Sequence, residues 1–462
     1  MTEQNFTEQS IFDINPQQSD QLPPIECLGL TFDSEADRQA HFLAQLQAKL
    51  QDSDFRAMPG FPDAEIADIL ALSDPPYYTA CPNPFLEAFV QQYGKPYDSG
   101  VAYEKEPFAT DVSEGKTDAI YNAHSYHTKV PHKAIMRYIL HYTEPGDLVL
   151  DGFGGTGMTG VAAQMCGKPD AEYRQTVEAE WKATGAGKPQ WGARRAVLND
   201  LSPVAAFIAA NYNLPFDLKA FEREAKRILK ELKQEVGWMY ETQHPQSNIK
   251  GQINYTVWSQ VFSCPNCSNE IVFLKEALDQ ETKRVREEFP CPHCRTELTK
   301  TRLERLYESY FDSVLGKNIQ HIKRVSVLIN YSVGKAKYEK QPDEADLSIL
   351  QKIAELSQPL EVPITEIPFM HMTHQRARME TFGITHIHHF YLPRAAQALG
   401  RLWEKATAVS DKRSRNMLLF FVEQAVWGMS LLARYTPTHY SQVNQYLSGV
   451  YYVGSQVVEC SP

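Results

Sequence analysis

Three short stretches of the chain hold side chains able to do chemistry on a ligand, and a fourth can hold a metal. In the first, Ser73-Asp74-Pro75-Pro76-Tyr77-Tyr78, a carboxylate, ring-constrained carbonyls and aromatic rings stand in a row. A carboxylate and a proline carbonyl can both accept hydrogen bonds from an amino group, and an adjacent ring can stack on a planar base. Held in this way, an exocyclic amine would present its lone pair to a methyl donor, and the base carrying it must first leave the duplex. Asp and Pro are also ordinary turn residues, so the same segment reads as a strand-ending turn.

The second stretch is Asp151-Gly152-Phe153-Gly154-Gly155-Thr156-Gly157, with FxGxG spacing at Phe153, Gly155 and Gly157. Glycines allow a tight turn and close approach to a ligand, and the helix that follows offers unpaired N–H groups. Gly155, Gly157 and Gly160 approximate a GxGxxG pattern, which points to a nucleotide-like cofactor. Asp200 lies 49 residues after Asp151 and ends the next apolar run, where an acid can accept hydrogen bonds from ribose hydroxyls. Alternatively, Asp200 is the N-cap of a helix starting near Pro203. The third stretch, His124 to Lys133, reads as a binding loop beside the cofactor, although its histidines could also serve a metal or acid–base chemistry.

The metal candidate is Cys264, Cys267, Cys291 and Cys294, two CxxC pairs with 23 residues between them. Four thiolates make a closed tetrahedral site, so the expectation is structural zinc that contributes to folding, with His293 not a ligand. The remaining cysteines, Cys27, Cys81, Cys166 and Cys460, are scattered, which suits a reducing compartment better than a disulfide framework.

The elements that must position these residues follow from periodicity. Leu148-Val149-Leu150, the glycine loop, an apolar helix, Ala196-Val197-Leu198, Asp200 and the helix from Val204 form a βαβ pattern of the doubly wound α/β kind. Further helices are expected at 35–53, 132–142, 218–240, 301–330, 392–406 and 411–434. Ile66–Ser73 reads as a short strand, 92–131 as loop, 167–190 as a polar excursion, 335–365 as initially linker-like and 449–453 as a β-like run. The resulting division is a polar tail (1–30), a core with the two ligand motifs (31–217), charged helices with a zinc module (218–335) and a mainly helical remainder (336–462), which completes or leads back into the catalytic fold. A chain stopping so soon after a strand-like run is expected to continue beyond Pro462 or to be completed by another polypeptide.

Composition bounds the function classes. Of 462 residues 43% are hydrophobic, enough for a sizeable core, and no 18-residue apolar run or signal peptide is apparent, so the expected compartment is the cytoplasm. The net charge of -11 argues against an overall basic surface, but residues 219–340 carry 21 Lys and Arg against 16 Asp and Glu. Any nucleic-acid footprint is therefore expected there, unless the excess is an ordinary fluctuation.

The order of the motifs resembles the beta class of DNA amino-methyltransferases, in which the target-amine motif precedes the cofactor motif. The likeness covers about residues 66–215. It implies a Rossmann-like S-adenosylmethionine-dependent methyltransferase sheet with permuted motif order, here with an inserted zinc-ribbon-like module. By resemblance, Asp74, Pro75, Pro76 and Tyr77 receive the amine. Asp151, Phe153, Gly155 and Gly157 match the cofactor loop, Asp200 the ribose acid, and His124–Pro131, with Lys129, the cofactor-binding segment before it.

Two departures stand out. Only 50 residues separate Asp74 from His124, so strands that the family places there are expected after residue 215, beyond Pro462 or in a partner; and Gly152 replaces a proline. The activity implied is methylation of a DNA base amine. The aspartate form of the motif favours adenine N6, with cytosine N4 as the other target, and Cys81 is a packing residue, not a nucleophile. The alternatives are an RNA amino-methyltransferase and a nucleic-acid-binding zinc subunit with an incomplete methyltransferase fold. DNA is the expected partner, together with a downstream polypeptide or a restriction or defence subunit.

Overall fold

The computed structural model describes residues 24–96, 98–124, 126, 128–185, 187–245, 247, 249–279, 281–437 and 453–462. Most of the expected polar tail, the run 449–452, Ser125 and His127 lie outside the described residues. The chain divides into two compact units, one of residues 1–109 and 136–210 and one of residues 110–135 and 211–462.

In the first unit, strands Leu148–Asp151 and Arg195–Leu198 pair in parallel, from Leu148 opposite Arg195 to Asp151 opposite Leu198. Parallel strands need a crossover, which helices Met158–Met165 and Ala171–Thr184 provide. The polar 167–190 excursion thus contains a helix, capped by the Asp170 side chain and ended by left-handed Gly185; it buries Tyr173, Val177 and Trp181, spaced four apart. Helix Pro203–Asn213 follows Asp200 directly. Buried Arg194 ties the crossover's return to the first strand's entry, donating to the carbonyls of Thr143, Gln190 and Gly192.

Ahead of this βαβ unit, helix Glu35–Lys49 packs Phe42 and Leu46 with Cys27, Leu50, Phe55, Ile69 and Phe85. The strand expected at Ile66–Ser73 is instead helix Ile66–Leu72. Ile66, Ile69, Leu70 and Ser73 turn inward while Asp68 and Leu72 are exposed; this i, i+3, i+4, i+7 spacing is a helical period that a short apolar run hides.

The second unit is built on the 14-residue strand Lys250–Ser263. Among the described residues it belongs to a seven-stranded antiparallel sheet. Along its length it pairs with Glu241–Gln243, Glu270–Val272, Glu304–Arg305, Arg324–Val333 and Gln456–Cys460. The helix expected over 301–330 is a correction: this stretch forms strands Glu304–Arg305, Tyr307–Asp312, Lys317–Ile322 and Arg324–Val333. Aromatic and β-branched residues such as Tyr307, Tyr310, Val325, Val327 and Ile329 suit a pleated surface, and Gly316 at φ +63° helps to close the hairpin. Helices Leu218–Val236, Pro393–Thr407 and Lys412–Met429 lie where amphipathic periods predict them.

A buried ion pair holds this sheet to its helices. Arg394 donates through Nη2 to Glu459 Oε2 at 2.6 Å and through Nε to Oε1 at 3.2 Å. Trp258 Nε1 donates to the same carboxylate, and Arg394 also reaches Thr256 Oγ1 at 2.8 Å. Removing one partner leaves a buried charge without its counterpart. Glu459→Ala is expected to cost about 3–5 kcal/mol of stability, read as a lower denaturation midpoint. The volume-filling pair Arg394→Met/Glu459→Leu should recover most of that loss, and an unchanged midpoint in Glu459→Ala would refute the role given to this pair.

Candidate functional site

The glycine loop leaves the first parallel strand at Asp151. That carboxylate accepts from Phe153 N at 3.1 Å and Thr159 Oγ1 at 2.6 Å, so it braces the loop from within. Gly154 N donates to Asn199 O, while Gly155 N donates to Asp200 Oδ2 at 2.9 Å. Gly155 and Gly157 hold left-handed φ values of +50° and +75°, where a side chain would be strained, and Gly157 leads into helix Met158–Met165. Asp200 Oδ1 accepts from Ser202 N, and Ser202 rather than Asp200 supplies the first-turn bond of the next helix, accepting from Ala205 N. Each Asp200 oxygen retains a lone pair, so the carboxylate can hold the loop and still accept from a hydroxyl.

This arrangement fits a nucleoside-like cofactor. An acceptor carboxylate, a loop in conformations suited to glycine and the start of a helix meet at the carboxyl ends of two adjacent parallel strands. Apolar surface lies beside them: Phe153 is 86% exposed, Leu201 84% and Leu150 73%. Parallel strands are ordinarily covered on both faces, and among the described residues these two have no third neighbour.

The Asp74–Tyr77 turn belongs to the same unit. Asp74 and Tyr78 exchange both backbone hydrogen bonds, at 2.8 and 3.0 Å, around Pro75-Pro76-Tyr77. Asn83 Nδ2 donates to Pro76 O, and Ser73 Oγ accepts from Ala80 N. The Tyr78 ring meets Phe207 of helix Pro203–Asn213 at 6.5 Å between centroids, linking the turn to the helix after Asp200.

Sequence reasoning missed what faces this turn. Arg38, fully buried on helix Glu35–Lys49, donates through Nη2 to Asp74 Oδ1 at 2.8 Å and through Nη1 to Pro75 O at 2.6 Å. Its guanidinium stands 4.9 Å from the centre of the Tyr77 ring. Glu35 takes the Nε and Nη2 protons on the other side. Burial opposes the charge of Arg38, yet Glu35 and Asp74 more than compensate and keep it firmly protonated. Burial also raises the Tyr77 hydroxyl, with a contribution from its hydrogen bond to Cys27. Only the i, i+3 spacing of Glu35 and Arg38 was visible in the sequence.

The 124–133 loop lies in the other unit. Lys129 Nζ donates to the carbonyls of Tyr121 and His124 and stands over the Tyr121 and Tyr212 rings at 4.6 and 5.6 Å. Burial lowers its ammonium to about 8. His124 is buried, stacks on Phe420 at 4.9 Å and faces Glu423 at 3.3 Å. Lys129 therefore braces its own loop.

The four cysteines converge as their spacing predicts. Cys264 and Cys267 turn between Lys250–Ser263 and Glu270–Val272, and Cys291 and Cys294 between Glu288–Pro290 and Glu297–Thr299. The two turns share one geometry: Ser268 N returns to Cys264 O and Arg295 N to Cys291 O, with φ of +57° and +65° at these non-glycine residues. The Cys264–Cys294 and Cys267–Cys291 sulfurs are each 3.8 Å apart, and all four lie within 4.8 Å of one another. Zinc–sulfur bonds of about 2.3 Å in a tetrahedron require sulfurs about 3.8 Å apart, so the cluster fits a metal ion. The Thr296 hydroxyl lies 3.3 Å from Cys294 Sγ and Asn266 Nδ2 donates to it at 3.5 Å; the first contact most, then the second, favours the thiolate and lowers this thiol to about 5.

A second cluster escaped the sequence reading. His388 and His389 Nε2 lie 2.8 and 3.0 Å from Asp312 Oδ2 in the interior. Burial opposes the Asp312 charge, but the two histidine hydrogen bonds hold its carboxyl well below the usual range. His389 Nδ1 accepts from the backbone N–H of Thr385 and His386, at 3.1 and 3.3 Å, so the ring proton sits on Nε2. That proton is donated to Asp312, which makes the group a hydrogen-bonded strut and leaves no Nε2 lone pair on His389 for a metal. His386-Ile-His388-His389 was visible in sequence; its distant partner Asp312 was not.

Residues 70–169 match a family model described as DNA methylase, which covers less than a quarter of the 462-residue chain. The match takes in the Asp74–Tyr77 turn and the glycine loop, and supports a DNA-methylating, S-adenosylmethionine-dependent transferase in general terms. No curated protein and no solved structure matches the chain. Among the described residues no helix is long and apolar enough to cross a membrane.

Protein purified without added metal is expected to carry about one zinc per chain by elemental analysis. Cys291→Ser should lower that content and expose the module, whose core of Phe262, Ile271, Phe289 and Leu298 surrounds the cysteines. A content near zero in folded protein would overturn the site.

Proposed function

We propose that this chain supplies the cofactor site and the target-amine turn of an S-adenosylmethionine-dependent methyltransferase acting on a DNA base, most simply adenine N6, with zinc as a structural ion. The observation that carries the reading is the Gly155–Asp200 hydrogen bond, which sets an acceptor carboxylate against a left-handed glycine loop at adjacent strand ends. Asp200 would accept from the ribose hydroxyls, while Gly155, Gly157 and the start of helix Met158–Met165 leave room for the cofactor. Exposed Phe153 and Leu201 offer it apolar surface. S-adenosylmethionine supplies an electrophilic methyl group. The Asp74 carboxylate and Pro75 carbonyl would orient the amine and accept its hydrogen bonds, and Tyr77 would stack on the extrahelical base.

Two features qualify the parts. The Lys129 ammonium is engaged by two backbone carbonyls, so we assign it to holding the 121–129 loop, not to the ligand. In helix Leu218–Val236, Lys226 and Arg227 pair with Glu222, Glu224 and Glu231 on the same helix, which weakens the claim of this part of the basic segment to a DNA footprint. The exposed Leu150 and the absence, among the described residues, of a third parallel strand favour a second reading, in which further strands, from more polypeptide or a partner, complete the catalytic sheet.

Calorimetry should detect S-adenosylmethionine binding, weakened about tenfold, or about 1.4 kcal/mol, by Gly155→Trp. Equal affinity in a folded variant would remove the loop from the site. With labelled cofactor and matched DNA and RNA, methyl incorporation is expected in DNA. Asp74→Ala should lower turnover far more than cofactor affinity, and a wild-type rate in this variant would reduce the 74–77 segment to a turn.

A further inference from the structure

The groups assigned to a flipped base are all engaged by one side chain. Asp74 Oδ1 and Pro75 O are the acceptors meant for an exocyclic amine, and the Tyr77 ring is the stacking surface. Arg38 donates to both acceptors, at 2.8 and 2.6 Å, and stands 4.9 Å from the ring centre. A guanidinium is a flat, delocalised group edged with N–H donors, as an aminopurine is along its amino edge. We propose that Arg38 is an internal surrogate for the target base, occupying the amine site until a base replaces it; this rests on the reading of Asp74–Tyr77 as that site.

The geometry provides for the exchange. Arg38 Nε and Nη2 are already bonded to Glu35, one helical turn back on the same helix and half exposed. Because the Glu35 side chain is half exposed, torsions of Arg38 and Glu35 together can carry the paired guanidinium and carboxylate away from Asp74 and Pro75, so the guanidinium has a partner in both positions. Tyr77 is 40% exposed, which gives an incoming ring access to it. The carboxylate, by contrast, is buried and is poorly tolerated without a donor. An empty site is therefore disfavoured, and it is filled either by Arg38 or by a base bringing an equivalent donor. A ligand lacking the exocyclic amine, such as a purine with hydrogen in its place, cannot satisfy Asp74 and should fail to displace Arg38.

The test uses the whole chain with deoxyadenosine as the probe and calorimetry or ligand-observed NMR as the readout. Arg38→Met fills the volume without donors; it should bind deoxyadenosine at least tenfold more tightly than the wild type does, while purine deoxyriboside shows no such gain. Adding Asp74→Leu should abolish the gain. Arg38→Lys, which keeps a buried charge but loses the planar fork, should give a smaller gain of the same sign and covers the case in which Arg38→Met does not fold. Deoxyadenosine affinity equal to wild type in a folded Arg38 variant overturns the surrogate. If Asp74→Ala still depresses DNA methylation in that case, the amine reading stands without it; if Asp74→Ala methylates normally, the amine reading and the surrogate fall together.

Discussion

A guanidinium taken out of water keeps its charge and must find an acceptor for each direction in which it points. Three of the buried arginines, Arg38, Arg194 and Arg394, answer that demand where segments distant in sequence meet. Arg38 joins the N-terminal helix to the Pro75 turn, Arg194 joins the end of the crossover to the entry of the first parallel strand, and Arg394 joins a helix to the central and final strands of the antiparallel sheet. In each case backbone carbonyls or a carboxylate on another segment answer the charge. The pairing therefore specifies which segments meet, something that non-directional apolar contact does less sharply.

The glycine loop follows a related logic with weaker groups. Asp151 ends one parallel strand and Asp200 lies just past the end of its neighbour, and both spend oxygens on the glycine loop, Asp151 on Phe153 N and Asp200 on Gly155 N. The loop is thus set before any ligand arrives, and a ligand need not meet the entropy of ordering it. Acids so placed can hold the loop and still have lone pairs for a ligand, so a structural and a binding role for Asp200 are compatible.

What was legible in the sequence was local. The βαβ unit announced itself because a glycine loop between two apolar runs has few other uses, and the helices Pro393–Thr407 and Lys412–Met429 because their periods are long. The four cysteines were legible because a metal cluster needs only spacing. The failures have physical causes. Ile66–Leu72 is too short for its period to outvote the two prolines after it. At 301–330, scattered leucines and arginines suggested a helix, whereas Glu304–Arg305 and Arg324–Val333 pair with the distant Lys250–Ser263, and Tyr307–Asp312 pairs with Lys317–Ile322 as a hairpin, which decides in favour of strands. Arg38 and Asp312 could not be assigned because their partners lie 36 or more residues away, and nothing local marks such a bond. At the candidate site the strand, glycine-loop and acid order around Gly155 and Asp200 was readable, while the Arg38 contacts of the Asp74 turn were not.

The longest strand, Lys250–Ser263, ends at Ser263, and the next residue, Cys264, is the first of the tetrad. A β-strand can slide against its neighbours one residue at a time, each step moving it about 3.4 Å and exchanging its inner and outer faces. At this strand a single step would carry the Cys264 sulfur away from those of Cys291 and Cys294 in the other turn, which lie within 4.8 Å of it. The cysteine cluster is thus a mechanical stop for the sheet: it indexes the strand along its own axis, as a detent fixes a sliding bar.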